Sequence, residues 1–217
     1  MEKERIRQAC RLYAITDRKW ITGISQTELL AKQVEQAILG GATMVQLREK
    51  ELLGKSLKEE AIAVQRVCRH YHIPFIINDY VELAKELHAD GVHVGQSDTS
   101  VKETRKLLGP DYIIGATAKT VEQARLACEQ GADYLGSGAV FGSKTKLDAK
   151  PMSRETLKKI VKSVSVPVVA IGGIDGKNVT QLSDTHIAGI AVIGGIFGQS
   201  DIKEAARTLN YKLHFVL

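Results

Sequence analysis

The chain has 217 residues, 44% of them hydrophobic and 25% charged, which suits an ordinary globular protein long enough to bury a sizeable core as one domain. No apolar run nears the roughly 18 residues that span a bilayer. The charged opening MEKERIRQACR lacks a signal-peptide stretch, so a cytoplasmic protein without membrane partners is expected. The net charge of +5 is spread along the chain and aromatics reach only 5%, which excludes the clustered basic patch and stacking platforms of a nucleic-acid binder and leaves small anions such as phosphates as the better partners.

Short β-branched runs alternate with longer stretches of helical period. Residues 1–10 read as a short N-terminal helical extension. The first strand, LYAIT at 12–16, precedes a helix over 25–39, and TMVQL at 43–47 precedes one over 55–70. PFIIN at 74–78 leads to 80–87, GVHVG at 91–95 to 100–108, and YIIGA at 112–116 to 120–130. YLGSGAV at 134–140 leads to 153–163, PVVAIGG at 167–173 to 177–183, and GIAVIGG at 189–195 to 201–210. Ser25-x-x-Glu28, Ser56-x-x-Glu59, Ser100-x-x-Glu103 and Thr120-x-x-Gln123 have the form of capping boxes.

Strands alternating with helices imply a parallel sheet, and eight such units predict a single (β/α)₈ barrel over 1–217. An open doubly wound sheet fits less well, since no G-x-G-x-x-G follows the first strand. Cys10, Cys68 and Cys128 are too scattered for a disulfide framework or a C-x-x-C metal site, and Cys68 and Cys128 read as reduced packing residues.

In such barrels chemistry sits where strands end. Gln46, Arg48 and Lys50 alternate, so an extended backbone points all three one way. They form either a cationic comb suited to a diphosphate or a solvated strand end paired with Glu49 or Glu51. Lys146, after the sixth strand, adds a cation from the far side. Asp79 taken singly could cap a helix, and Asp98 could form a turn before Ser100. Together they resemble the oxygen ligands of Mg²⁺, which typically takes one or two carboxylates plus substrate phosphates. Gly172-Gly173 and Gly194-Gly195 would let backbone N–H groups approach a phosphate, or would simply make tight strand exits. His93, mid-strand, reads as a satisfied interior histidine.

YAITD (13–17), VQLREK (45–50), IINDY (76–80), GVHVGQSD (91–98), ADYLGSGAVFGSKTK (132–146), PVVAIGGI (167–174) and GIAVIGGI (189–196) together resemble the thiamine-phosphate synthase family. The resemblance spans nearly the whole chain, in order. It implies that a hydroxymethylpyrimidine diphosphate and a thiazole monophosphate, including its carboxylated form, combine to thiamine phosphate and pyrophosphate. Gln46, Arg48, Lys50, Asn78, Thr117 and Lys146 would hold the pyrimidine diphosphate, with Arg48, Lys50 and Lys146 acting on the leaving group. Asp79 and Asp98 would bind Mg²⁺. Ser143, Lys144, Thr145, Gly173, Ile193 and Gly194 would surround the thiazole phosphate. Gly142, Ser143, Thr117, Lys119 and Gly194 replace residues more usual in the family. A thiazole tautomerase of the same superfamily and a non-catalytic phosphate sensor are the rival readings; the partners are small molecules, and a homo-oligomer is left open.

Overall fold

The computed structural model describes residues 3–21, 25–142 and 151–217. Helix α1 (Lys3–Ala9) precedes β1 (Leu12–Ile15), and α2 (Gln26–Leu39) follows. The alternation continues through β2 (Met44–Leu47), α3 (Gly54–His70), β3 (Phe75–Asn78), α4 (Val81–Glu86), β4 (Gly91–Val94) and α5 (Val101–Leu108). It completes with β5 (Ile113–Thr117), α6 (Val121–Glu129), β6 (Tyr134–Gly138), α7 (Arg154–Ser163), β7 (Val168–Ile171), β8 (Gly189–Val192), α8 (Gly194–Phe197) and α9 (Ile202–Lys212). All neighbouring strands pair in parallel, and β8 closes on β1 through Leu12 opposite Ile190, so the described strands form the expected closed barrel of eight.

Strand alternation sorts the apolar residues into two layers. One set, including Val45, Ile77, Val92, Ile114 and Leu135, faces outward and packs under the helices. The other, including Tyr13, Met44, Ile76, Ile113, Tyr134 and Val169, fills the barrel interior together with Ile6 and Ala9 of α1. Polar groups at the strand starts are consumed by backbone. Thr43 Oγ1 accepts from Leu12 N at 2.8 Å, Asp90 from Phe75 N at 2.8 Å and Asp133 from Ile114 N at 2.7 Å. That rim serves stability.

The helix starts differ in detail from the sequence patterns. Ser100 and Glu103 form a reciprocal capping box, and Thr120 accepts from Gln123 N. Ser56 lies inside α3, which begins at Gly54, and no described side chain caps α2 at Ser25. The helix expected over 177–183 is only a 3₁₀ turn, Val179–Leu182. Its two buried side chains, Val179 and Leu182, are three residues apart, the spacing of a 3₁₀ turn, and β-branched Val179 and Thr180 do little to extend it. No helix among the described residues is long and apolar enough to cross a membrane.

Candidate active site

The exits of β1 and β2 are tied together below the rim. Arg18 donates through Nε to Glu49 Oε2 at 2.5 Å, and its other nitrogens reach Glu60 of α3 and Gln26 of α2. Glu49 also accepts from Glu51 N at 2.6 Å and Leu52 N at 3.1 Å. Glu49 is thus anchored inward, and the residues on either side of it face the mouth. The alternative in which Glu49 pairs with its neighbouring cations is corrected: its partner is Arg18. Burial pushes the Glu49 carboxyl up, but the two backbone N–H groups and Arg18 outweigh this and leave it below its ordinary range. Glu60 shares the same guanidinium without that backbone help, and burial raises it to about 7.

Arg48 donates to Asp17 Oδ2 at 3.2 Å and is held at its backbone by Thr16 Oγ1 at 3.0 Å. Lys50 forms an ion pair with Asp79, whose Oδ2 also accepts from Asn78 Nδ2 at 2.6 Å. The Asp79 side chain therefore faces the mouth and does not cap α4, where Tyr80 is the N-cap. Asp79 has φ 62°, a left-handed conformation that Asp and Asn tolerate better than most residues. Burial raises its carboxyl; Lys50 lowers it, and the adjacent Asp98 carboxyl raises it again. Asp98 does close its own loop as a turn former, accepting from Gly95 N at 2.7 Å, while standing against Asp79. A hollow of about 430 Å³ brings together Arg48, Lys50, Asp79, Gln96, Asp98 and Lys119.

Below this hollow a chain of hydrogen bonds crosses the barrel interior. Gln46 Nε2 donates to Tyr13 Oη at 2.5 Å, and Tyr13 Oη lies 2.8 Å from Tyr134 Oη. His93 bridges onward, with Nδ1 3.1 Å from Tyr134 Oη and Nε2 3.1 Å from Thr117 Oγ1. The space for these rings comes from two strand glycines. A Cβ at Gly115 would overlap the Tyr134 ring, and one at Gly136 would press on His93 Cε1 at 3.3 Å. His93 is hydrogen-bonded, as expected of an interior histidine, yet it also lines the cavity.

The larger cavity, about 480 Å³, adjoins the first through Arg48, Asn78, His93, Thr117 and Lys119. Its far wall is built from Gly172, Gly173, Ile193, Gly194 and Gly195, with Trp20 across from them. The glycines are not equivalent. Gly172 (φ 104°) and Gly173 (φ 65°) are left-handed, and a Cβ on either would meet the β6 exit, Ala139 or the Phe141 and Gly142 carbonyls. A Cβ at Gly195 would meet Ile174 O and Val192. Only Gly194 opens to the cavity, its nearest neighbour being Trp20 Cζ2 at 3.5 Å. Loop packing on loop is thus enough to require glycine at three of the four, whatever else their backbone N–H groups meet.

Ser143, Lys144, Thr145 and Lys146 lie outside the described residues. The structure brings Gln46, Arg48, Lys50, Asn78, Asp79, Asp98 and Thr117 onto one side of the mouth and Gly173, Ile193 and Gly194 onto the other. Sequence patterns alone do not single out Asp17, which follows β1 as Asp79 follows β3, nor Tyr13, Tyr134 and Trp20. Interior-facing alternation marks the two tyrosines, whereas nothing local marks Trp20. Among the described residues no cluster of three or more His, Cys, Asp or Glu forms a self-contained metal site. The paired carboxylates of Asp79 and Asp98 fit a hard divalent ion that takes its remaining oxygens from substrate and water.

Residues 12–196 match the family described as thiamine monophosphate synthase. A thiamine-phosphate synthase of Ruminiclostridium cellulolyticum is 48% identical over 198 residues, covering 91% of this chain and 92% of that one. One of Clostridium tetani is 46% identical over 200 residues, covering 92% and 94%. The solved thiamine phosphate pyrophosphorylase of Pyrococcus furiosus superposes with a TM-score of 0.88 at 36% identity, covering 98% of this chain and 99% of that one.

Proposed function

The chain belongs to the thiamine monophosphate synthase family and carries that transferase activity; from this premise we propose its substrates and the residues that handle them. A 4-amino-5-hydroxymethyl-2-methylpyrimidine diphosphate binds with its ring against Gln46, Asn78 and Thr117. Its diphosphate lies toward Arg48, Lys50 and Lys146. A 4-methyl-5-(2-phosphoethyl)thiazole, with or without a carboxylate, takes the other half of the mouth. Its phosphate lies by Gly173, Ile193 and Gly194, with Ser143, Lys144 and Thr145 closing around it. The observation that carries this reading is the pairing of a cation-and-carboxylate hollow with a larger, glycine-walled cavity through shared residues.

The C–O bond between the pyrimidine methylene and the diphosphate breaks first, and both electrons leave with pyrophosphate. The amino group on the ring stabilises the resulting cation. The thiazole nitrogen then forms the new C–N bond and becomes the quaternary thiazolium. With the uncarboxylated thiazole no proton need move; the carboxylated form must also lose carbon dioxide, and the electron pair left on the ring carbon takes a proton from water. Neither route requires a protein nucleophile. The chain acts by positioning and by placing Arg48 and Lys50 where negative charge develops. Asp79 and Asp98 would hold Mg²⁺, which when bound neutralises the diphosphate oxygens. Lys50 pairs with Asp79, and a diphosphate with its metal would offer each of these two groups a partner of opposite charge. A tautomerase would have no use for these paired carboxylates. The deciding experiment supplies both substrates and Mg²⁺ and follows pyrophosphate and thiamine phosphate together. Equal release of both supports the reading; release of neither ends it.

A further inference from the structure

The interior chain from Gln46 to Thr117 has a direction. Each tyrosine has one hydroxyl proton to give. Gln46 donates to Tyr13, and the arrangement that spends every hydroxyl proton within the chain then runs one way, from Tyr13 to Tyr134 and from Tyr134 to His93 Nδ1. The imidazole proton then sits on Nε2 and is donated to Thr117 Oγ1. At the two ends, what remains is the Gln46 carbonyl oxygen as an acceptor and the Thr117 hydroxyl proton as a donor. Both residues line the larger cavity. Burial holds both phenols above their ordinary range, so neither gives up its proton at neutral pH.

We infer that Tyr13, Tyr134 and His93 are positioning residues that lock the hydrogen-bond polarity of the cavity, acceptor at Gln46 and donor at Thr117. The inference rests on the assignment of this face to the pyrimidine. A 4-aminopyrimidine is the complementary ligand class, because its amine donates and its ring nitrogens accept. The 4-oxo counterpart puts an acceptor where the amine stood and would leave Gln46 unmatched. A cavity locked in this way selects the amino over the oxo ring, because a buried polar group left unpaired costs far more than one matched. Gly115 and Gly136 support this: both strands give up a side chain to admit the Tyr134 and His93 rings.

The test has two arms. In the free protein, two-bond ¹H–¹⁵N spectra, assigned by the signal lost in His93→Asn, should show His93 neutral with its proton on Nε2. A proton on Nδ1, or on both nitrogens at pH 8, overturns the polarity without reference to any reaction. In the second arm, Tyr13→Phe and Tyr134→Phe should each raise KM for the pyrimidine diphosphate about tenfold. The double variant should do no worse than either, because the chain fails as a unit. KM for the thiazole phosphate should stay within about twofold, and preference for the amino over the oxo pyrimidine should fall about tenfold. A roughly hundredfold effect in the double variant, an equal shift for the thiazole, or unchanged preference would each overturn the inference. If the wild type makes no product, the functional reading fails, while the His93 tautomer still decides the chain.

Discussion

Gly115 on β5 makes room for Tyr134, the residue paired opposite it on β6. A methyl group built on Gly115 would fall within the Tyr134 ring, against Cζ, Cε1 and the hydroxyl. One absent side chain thus admits one buried ring, and that ring carries the middle of the polar chain. Gly115→Ala should cost about 1–3 kcal/mol, the range for overpacking a filled core. It should also raise KM for the pyrimidine diphosphate, because Tyr134 must swing off Tyr13 and His93. Urea unfolding at one pH measures the first and steady-state kinetics the second. A variant as stable and as active as the wild type would mean that the ring relocates at no cost.

The paired carboxylates can be tested without disturbing the backbone. Asp79 is left-handed, and Asn accepts that conformation well, so Asp79→Asn removes charge and little else. It should lower turnover about 10²-fold or more, the scale for losing one group that stabilises developing charge. Asp98→Ala should do likewise while also loosening the Gly95 turn that Asp98 closes. EDTA should stop pyrophosphate release and added Mg²⁺ restore it. Full turnover in EDTA would remove the metal from the mechanism.

Among the described residues Arg48 pairs with Asp17 at 3.2 Å. Arg48 lines both cavities, where its guanidinium would offer the diphosphate a planar fork. Arg48→Lys keeps the charge but not the fork, and kcat should fall about tenfold or more. Wild-type kcat in that variant would show that charge alone suffices.

Glu60 shares Arg18 with Glu49, so one guanidinium faces two carboxylates. Glu49 has two backbone donors as well and keeps the negative charge. Glu60, its Oε1 without a hydrogen-bond partner among the described residues, is the one raised, by burial, from 4.5 to about 7. The folded protein therefore binds this proton more tightly than the unfolded chain does. The resulting stability is full below about pH 4.5 and is lost as pH rises through about 7. Each tenfold difference in proton affinity between the folded and unfolded chain is worth about 1.4 kcal/mol, so the loss is on the order of 3 kcal/mol. Glu60→Gln keeps an acceptor for Arg18 and removes the titration. Urea midpoints from pH 5 to 8 should fall less in the variant than in the wild type; parallel curves would assign the slope to other groups.

What could be read in the sequence was whatever is written in period and position. Gln46, Arg48 and Lys50 were legible as one face because strand alternation is local. Asp79 and Asp98 were legible because both follow strand ends. Nothing local pairs Tyr13 with Tyr134, since their contact spans 121 residues and depends on barrel closure. Arg18 and Glu60 are hidden for the same reason: a charged residue in a loop or on a helical pattern looks solvated until the fold buries it. The glycines misled in a subtler way. Gly-Gly after a strand signals close backbone approach, but the sequence does not say whether a ligand or another loop approaches.

That ambiguity gives the last prediction. Gly173 is left-handed at φ 65°, and a Cβ there would meet the Phe141 carbonyl. Gly194 carries no such conflict, with Trp20 Cζ2 at an ordinary 3.5 Å. The same change at the two positions should therefore act through different causes. Gly173→Ala should cost at least about 1 kcal/mol of stability, since Ala is strained at positive φ. It should also raise KM for the thiazole phosphate, because the loop that lines its cavity must shift. Gly194→Ala should leave stability nearly unchanged and alter only that KM. Gly194→Ser places a hydroxyl at the cavity wall, at a position where the wild type offers only backbone, and should lower KM for the thiazole phosphate severalfold. KM for the pyrimidine diphosphate should not move in either Gly194 variant, because binding lost or gained at one subsite appears in that substrate's KM. Chemical denaturation and two-substrate kinetics on the three variants separate the effects. If Gly194→Ala destabilises as much as Gly173→Ala, both glycines are structural, and the phosphate is held elsewhere.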